Sequence, residues 1–247
     1  MRTPTAALIV VGNEVLSAKV RDENGPFAAA RLREIGVRLT AILTLPDEVE
    51  VIAEAVARER AHVDWLFTSG GVGPTHDDVT LAAVARALGS PVIRHAALAE
   101  FIRAAHRRWW GTEAPEAALR MADVPAATRL VGDEAHPILA AENVVMLPGV
   151  PQFFRVQLER FTRELVAPPF HLAEVFVSVA EDRIAPLLDR LQAEHATVEI
   201  GSYPRFDGAD HRVKVTLESK ERARVEAALA ALLAALPPGA LVRTAGP

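Results

Sequence analysis

The sequence predicts an α/β protein in which a mostly parallel sheet lies between two layers of helices, followed by a small α+β domain. Residues 6–11 form a continuous apolar run, which is typical of a strand buried on both faces. Apolar runs and segments of helical periodicity then alternate as far as residue 165, and this alternation favours parallel strands joined by right-handed crossovers. Beyond Pro168-Pro169 the order changes to βαββαβ, the ferredoxin-like split unit.

The elements of the first domain follow one another with short connections. The spacing of Phe27, Ala30, Leu32 and Ile35 predicts a helix that begins near Pro26 and ends at Gly36. The next predicted elements are a strand at 37–45, a helix at 48–61, a strand at 64–68, a glycine-rich loop and a helix at 77–88. A helix interrupted at Pro115 is expected over 95–122, an irregular segment over 123–142, a strand over 143–147 and a helix over 152–165.

Pro168-Pro169 predicts a boundary between a domain at 1–168 and one at 169–247. In the second domain the predicted strands are 174–179, 197–203, 212–218 and 241–243, and the predicted helices are 183–194 and 222–236.

Composition excludes several classes of function. The net charge of −5 gives no general attraction to nucleic acid or to an anionic membrane, so neither is an expected partner. The chain has no cysteine, which excludes disulfides and thiolate metal sites and fits a reducing compartment. The apolar stretch near the N-terminus is too short for a signal peptide or a membrane span. We therefore expect a cytoplasmic protein.

Three loops should meet at the carboxyl ends of the parallel strands, where ligands bind in such sheets. They cover residues 12–24, 68–78 and 147–151. The middle loop, TSGGVGPTHDD, contains three glycines that let backbone N–H groups approach a phosphate or carboxylate. The alternative is a tight turn in which Thr75 or Asp77 only caps the following helix.

Acidic side chains beside this loop suggest a hard divalent cation. Asp77 and Asp78 could hold the cation against phosphate oxygens, with Glu14 and Asp22 as further carboxylates. The alternatives are that the aspartates are first-turn acids of a helix and that Asp22 is simply solvated. His76 lacks a second histidine at ligand spacing and is interpreted as a loop residue that could contact substrate.

A second candidate site is the basic and aromatic run at 103–110. Its members could bind a phosphate or stack on a ring, or they could form a solvated helix face with the tryptophans packed inward. They are Arg103, His106, Arg107, Arg108, Trp109 and Trp110.

Four motifs in order carry a resemblance to a known family. They are residues 12–17 (GNEVLS), 22–24 (DEN), 70–80 (GGVGPTHDDVT) and 147–151 (LPGVP). Together they resemble the MoaB/Mog-like molybdopterin-binding superfamily, most closely the competence/damage-inducible protein A type and the N-terminal domain of FAD synthase. Residues 200–204 and 213–219 are similar to the small domain of the FAD-synthase group. Asn13 stands where many members carry Asp, and Glu23 where Thr is usual.

The resemblance implies a three-layer αβα fold and a small-molecule site. We expect phosphate or ligand contacts from Gly12, Glu14, Asn24, Ser69, Gly70, Gly71, Gly73, Thr75, Pro148 and Gly149, with Asp77 and Asp78 as catalytic residues and Asp77, Asp78 and Glu14 as metal ligands. The expected cofactor is Mg²⁺, Mn²⁺ or Co²⁺, with K⁺ as a further candidate ion. A homodimer or homotrimer is also expected. The deamidase and adenylyltransferase domains of longer relatives are not expected in this chain.

Three functions remain open at this point. The first is a metal-dependent nucleotide pyrophosphatase that hydrolyses FAD or ADP-ribose to AMP and a second monophosphate. The second is a molybdopterin (pterin phosphate) binding protein without hydrolytic activity, and the third is an adenylyltransferase acting on molybdopterin. The sequence does not separate them, because each ligand brings an anionic phosphate and a flat ring.

Overall fold

The computed structural model describes residues 2–132, 137–163, 165, 167–206 and 210–246. The chain divides into two compact units, residues 1–167 and 168–247. Each is described by itself.

The first unit contains eight described strands and seven described helices. The strands are β1 (Thr5–Val11), β2 (Arg38–Leu45), β3 (Trp65–Ser69), β4 (Val92–Arg94), β5 (Asp123–Pro125), β6 (Thr128–Val131), β7 (Ile138–Ala141) and β8 (Val144–Leu147). The helices are α1 (Asn13–Leu16), α2 (Asn24–Glu34), α3 (Val49–Arg60), α4 (Thr80–Ala87), α5 (Ala96–Trp110), α6 (Glu116–Leu119) and α7 (Pro151–Thr162), with a 3-10 turn at Arg120–Ala122.

Six strands form one sheet in the order β2-β1-β3-β8-β7-β6. The pairs β2-β1, β1-β3 and β3-β8 are parallel, whereas β8-β7 and β7-β6 are antiparallel. The carboxyl ends of β1, β2, β3 and β8 therefore lie at one edge of the sheet, and the loops that follow them can share a site.

The sheet is covered by helices on both faces because its central strands are apolar on both sides. Along β1, Ala7, Ile9 and Val11 belong to the core beneath α3 and α4. Their neighbours Ala6, Leu8 and Val10 belong to the core beneath α2 and α7. This three-layer arrangement confirms the fold class that the sequence predicts.

Two predictions for this unit were wrong in detail. The segment 123–142, expected to be irregular, contributes β5, β6 and β7 over the part that the structure describes, while residues 133–136 lie outside it. These strands are three or four residues long, too short for a pattern of period two to stand out. The helix expected from Asp77 begins at Thr80, so both aspartates precede it.

The second unit has the strand and helix order βαββαβ. Its elements are β9 (His171–Val177), α8 (Glu181–Glu194), β10 (Glu199–Pro204), β11 (Val213–Ser219), α9 (Arg222–Ala235) and β12 (Leu241–Ala245). The sheet order is β10-β11-β9-β12, with every pair antiparallel. Alternate residues of β11 are buried against the two helices, as expected for a sheet covered on one face.

Across the described parts of the chain, no helix combines the length and the apolar character needed to cross a bilayer.

Candidate functional site

A cleft of about 480 Å³ opens at the carboxyl edge of the parallel strands. The three loops predicted to converge do meet there, together with the loop after β2. The cleft is lined by Val11, Glu14, Val20, Asp47, Gly70, Gly71, Val72, Gly73, Asp77, Asp78, Met121, Pro148, Gly149, Val150 and Pro151. Asp47 and Met121 were missed from the sequence; Asp47 could have been found, because it follows the carboxyl end of a parallel strand.

The turn that leaves β3 depends on two glycines. Gly70 and Gly71 have φ angles of 98° and 67°, in the left-handed region that other residues rarely adopt. The turn is fastened by Thr80, whose hydroxyl donates to Gly70 O at 2.8 Å and whose N–H donates to Gly71 O at 2.9 Å. A Cβ atom on Gly71 would collide with the Thr80 hydroxyl. The alternative of a tight turn is therefore part of the explanation for these glycines.

The same turn leaves backbone donors at the cleft. Among the described residues, no protein acceptor takes the N–H of Gly71 or Val72, and both residues line the cleft. α7 also begins at the cleft, with Pro151 in its first turn and twelve residues of aligned peptide dipoles. Unpaired amides and a helix N-terminus are the groups that bind anions in proteins.

Asn24 holds two walls of the cleft together without lining it. Its side chain is buried, and Nδ2 donates to Ser69 Oγ at 2.8 Å and to Gly149 O at 2.7 Å. The backbones of Gly149 and Gly70 approach so closely that a Cβ on Gly149 would lie 3.1 Å from the Gly70 Cα. The structure therefore places Asn24 and Ser69 next to the cleft but outside its described lining, and ligand contact by either residue stays a prediction.

Asp78 organises the glycine loop. Its Oδ1 accepts from Gly73 N at 2.7 Å, and its Oδ2 accepts from Thr75 N at 2.8 Å and from Thr75 Oγ1 at 2.5 Å. Hydrogen bonds to an ionised acceptor are stronger than neutral ones. The Asp78 carboxylate thus folds residues 73–78 around itself, a role that neither helix capping nor metal binding had suggested.

The Asp77 carboxylate has fewer hydrogen-bond donors around it than that of Asp78. Its Oδ1 lies 2.6 Å from Thr75 Oγ1, so it shares the single proton of that hydroxyl with Asp78, and it lies 3.9 Å from His76 Nδ1. The hydrogen bond from Thr75 lowers the pKa of Asp77, so this exposed carboxylate stays ionised in the cleft. Thr75 itself is outside the cleft lining and acts through the two aspartates, and His76 is almost fully exposed.

The loop after β1 supplies one carboxylate to the cleft and places another elsewhere. Glu14 lines the cleft, and its carboxyl group lies so close to Gly12 that a Cβ at Gly12 would meet it. Asp22 instead accepts from Asn24 N at 2.9 Å and Gly25 N at 3.1 Å, at the start of α2. It is a cap for that helix, so the structure separates Asp22 from the cleft carboxylates. Asp47 accepts from Asn13 N at 2.8 Å.

The charged side chains that line the cleft are all acidic. Four of its lining residues are carboxylates, and none is Lys or Arg. A phosphate placed here without a cation would be repelled by these groups. Among the described residues no three His, Asp or Glu side chains are grouped closely enough to form a ready-made metal centre. The donor set nonetheless fits a hard cation such as Mg²⁺, which binds through one or two carboxylates and completes its shell with phosphate oxygens and water.

The basic and aromatic run on α5 does not reach this cleft. Arg107 pairs with Glu100 at 2.7 Å, and Arg103 lies 3.6 Å from the same carboxylate. The suggestion that the tryptophans pack inward was wrong, because Trp109 and Trp110 are 69% and 63% exposed. His106 stacks on Trp110 at 4.5 Å between ring centroids, so the run forms an exposed helix end.

Comparison with known proteins agrees with this architecture. The family model described as a probable molybdopterin binding domain matches residues 7–168. The chain belongs to this family. The model for the middle domain of FAD synthase matches residues 169–245, next to the molybdopterin-binding domain. The resemblance carried by the four sequence motifs is confirmed.

Relatives of this molybdopterin-binding domain protein come from all three domains of life. A protein of Archaeoglobus fulgidus is 30% identical over 87% of this chain and 95% of its own length. A probable FAD synthase of Caenorhabditis elegans is 30% identical over 92% of this chain, and a CinA-like protein of Myxococcus xanthus is 27% identical over 91%. The matches span 49% and 56% of those two longer proteins. Among solved structures, CinA of Thermoplasma acidophilum, whose function is described as unknown, matches 66% of this chain and 99% of its own with a TM-score of 0.57 and 26% identity.

Proposed function

We propose that this chain is a metal-dependent nucleotide pyrophosphatase that acts on FAD or an ADP-ribose-type substrate. The observation that carries the proposal is the cleft itself, whose described lining combines two backbone N–H groups that have no protein acceptor with four carboxylates and no Lys or Arg. A pyrophosphate bears charge on both phosphates, so it needs the donors and also a cation to offset the carboxylates. Relatives named as probable FAD synthases support a substrate of the FAD class.

Each wall of the cleft has a separate task in the reaction. The N–H groups of Gly71 and Val72 hold the phosphate that is not attacked, and the N-terminus of α7 stabilises further negative charge in the cleft. Thr75 keeps Asp77 ionised and oriented. Because its pKa is lowered, Asp77 is a weak base and suits cation binding better than proton abstraction.

Asp77 and Glu14 would hold a divalent cation, which would offset the charge of the phosphates and favour ionisation of a nearby water molecule. In the hydrolysis that we propose, the oxygen of a water molecule forms a bond to one phosphorus, and the anhydride bond from this phosphorus to the bridging oxygen breaks. The bridging oxygen leaves on the other phosphate, so the products are AMP and a second monophosphate. The proton of the water passes to solvent or to a cleft carboxylate.

The test is a panel assay. The protein is incubated with FAD, ADP-ribose or NADH in Mg²⁺, Mn²⁺ or Co²⁺, and AMP is measured by chromatography. We expect AMP from at least one substrate, its loss on chelation and its return when the cation is restored. Asp77→Asn should lower turnover by about a hundredfold or more, since it removes a charge that holds the cation. Asp189→Asn, at an exposed position on α8, is the matched control and should keep full turnover.

A second candidate function is binding of a pterin phosphate without hydrolysis. It is favoured by the family description and by Asp78, whose carboxylate is used by loop hydrogen bonds and is a less available metal ligand than the sequence suggested. If none of the three substrates yields AMP with any cation while the protein binds a pterin phosphate tightly, binding replaces hydrolysis as the function.

A further inference from the structure

The second unit contains a cavity of its own, remote in sequence from the glycine loop. It has a volume of about 360 Å³, within the range of about 300–1,000 Å³ typical of small-molecule sites. It lies between the start of α8, the end of β10 and the start of β11. The lining residues are Ala180, Glu181, Pro204, Arg205, Phe206, His211, Arg212 and Val213.

The charge of this cavity is opposite to that of the cleft in the first unit. Arg205 and Arg212 line it, and Glu181 is the one acidic residue among its described lining. Glu181 Oε1 accepts from Ser202 Oγ at 2.6 Å, and the two arginines outnumber this single acidic residue in the lining. The planar guanidinium group offers paired donors that match a phosphate or carboxylate. An anion could therefore bind here directly, without the cation that the acidic cleft requires.

His211 adds a fixed polar group to the basic wall. The residue is only 7% exposed, and its ring lies edge-on to Phe176 at 4.8 Å between centroids. Its Nδ1 is 2.6 Å from Asp210 Oδ1, and the hydrogen bond from His211 holds the pKa of Asp210 below its ordinary value. An ionised carboxylate can only accept, so Nδ1 carries the proton. Nε2 is then the remaining polar atom of a residue that lines the cavity.

Phe206 supplies a flat apolar surface at the rim. Its side chain is 94% exposed, more than any other large apolar residue that the structure describes. An aromatic ring beside two arginines is the combination that binds phosphorylated rings, since the base or flavin stacks while the guanidinium groups contact the phosphate.

We propose that this cavity is a second ligand site, which binds a phosphate monoester attached to a flat ring, the chemistry of a mononucleotide, without a metal ion. Arg212 contacts the phosphate, Arg205 and His211 form the polar wall beside it, and Phe206 stacks on the ring. The site differs from the cleft in residues and in metal requirement. The proposal is therefore independent of whether the first unit hydrolyses anything.

The test is calorimetric titration of the full chain in excess EDTA, with AMP, FMN, inorganic phosphate and adenosine as separate probes. We expect AMP or FMN to bind in a single site at micromolar to low-millimolar concentration. Arg212→Gln should weaken that binding by about tenfold or more, because it removes a charge-assisted hydrogen bond. Phe206→Ala should weaken the binding of the mononucleotide several-fold but leave that of inorganic phosphate unchanged.

Arg190→Gln is the matched control, because it removes the same charge from an exposed position on the same unit, outside the cavity lining. All three substituted positions are exposed, so circular dichroism should show folded proteins. The proposal is overturned if neither mononucleotide binds in EDTA, or if Arg212→Gln and Arg190→Gln have the same effect. If phosphate and AMP bind equally and Phe206→Ala changes neither, the ring-stacking part is wrong.

Discussion

Replacing Asp78 by Asn should destabilise the first unit, whereas replacing Asp77 should not. Asp78 accepts from Gly73 N and from Thr75 N, and it shares the single hydroxyl proton of Thr75 with Asp77. An Asn side chain can present its oxygen to only one side of that set, so its NH₂ group faces a backbone donor on the other. A hydrogen bond to a charged group is worth about 1.5–3 kcal/mol, and water can replace part of it at this half-buried position.

We therefore expect Asp78→Asn to lower the free energy of unfolding by about 2 kcal/mol, which corresponds to a fall in Tm of about 4–8 °C for a unit of this size. Asp77→Asn loses one side-chain contact at an exposed position and should shift Tm by less than about 2 °C. Calorimetry measures the two melting temperatures, and the AMP assay measures turnover on the same samples. If Asp78→Asn has the same melting temperature as the wild type, the hydrogen-bond role of Asp78 is refuted. If the two variants lose equal stability, the proposed difference between Asp77 and Asp78 is refuted.

The remaining predictions concern the turn, the ionisation of Asp77 and assembly. Gly71→Ala should lower the free energy of unfolding by about 1–3 kcal/mol and speed hydrogen exchange in residues 70–78, because φ at residue 71 is positive and the new Cβ would meet Thr80. Unchanged exchange would contradict the turn assignment. The contribution of the Asp77–Thr75 hydrogen bond to stability is present above the ordinary Asp pKa and is lost as the pH falls through the lowered value. Thr75→Val should thus raise the pKa of Asp77, as NMR titration can measure, and an unmoved titration would exclude Thr75 as the cause. The predicted dimer or trimer should sediment well above 26.6 kDa at micromolar concentration, since exposed Trp109 and Trp110 leave apolar surface to bury, and a monomer would rule it out.

The layered fold could be predicted from the sequence because its causes are local. The apolar run at 6–11 predicts a strand buried on both faces, and the alternating pattern at 213–217 predicts a strand buried on one face. The convergence of the loops also followed from a general rule of parallel sheets. The antiparallel extension through β6 and β7 could not be predicted, since each strand has four residues and is specified by its neighbour rather than by its own periodicity.

The chemistry of the candidate site could be predicted only in part. The residue types of the glycine loop indicated an anion site beside carboxylates, and the structure places those groups in one cleft. The different roles of Asp77, an exposed cleft carboxylate, and Asp78, an acceptor of loop hydrogen bonds, depend on how residues 73–75 turn back on Asp78. No local sequence pattern predicts that turn. Asn24 is a similar case, because its two acceptors lie 45 and 125 residues away in the sequence.

The close approach of Gly70 and Gly149 couples the loop after β3 to the loop after β8. Because a side chain on Gly149 would press on the Gly70 backbone, a loop transplanted into either position would need glycine at residue 149 or a shift of the other loop. Val20 and Val150 also line the cleft, are about half exposed and take no part in this glycine contact. A library that varies these two valines and keeps both glycines would change the side chains of the cleft without altering the contact between Gly70 and Gly149.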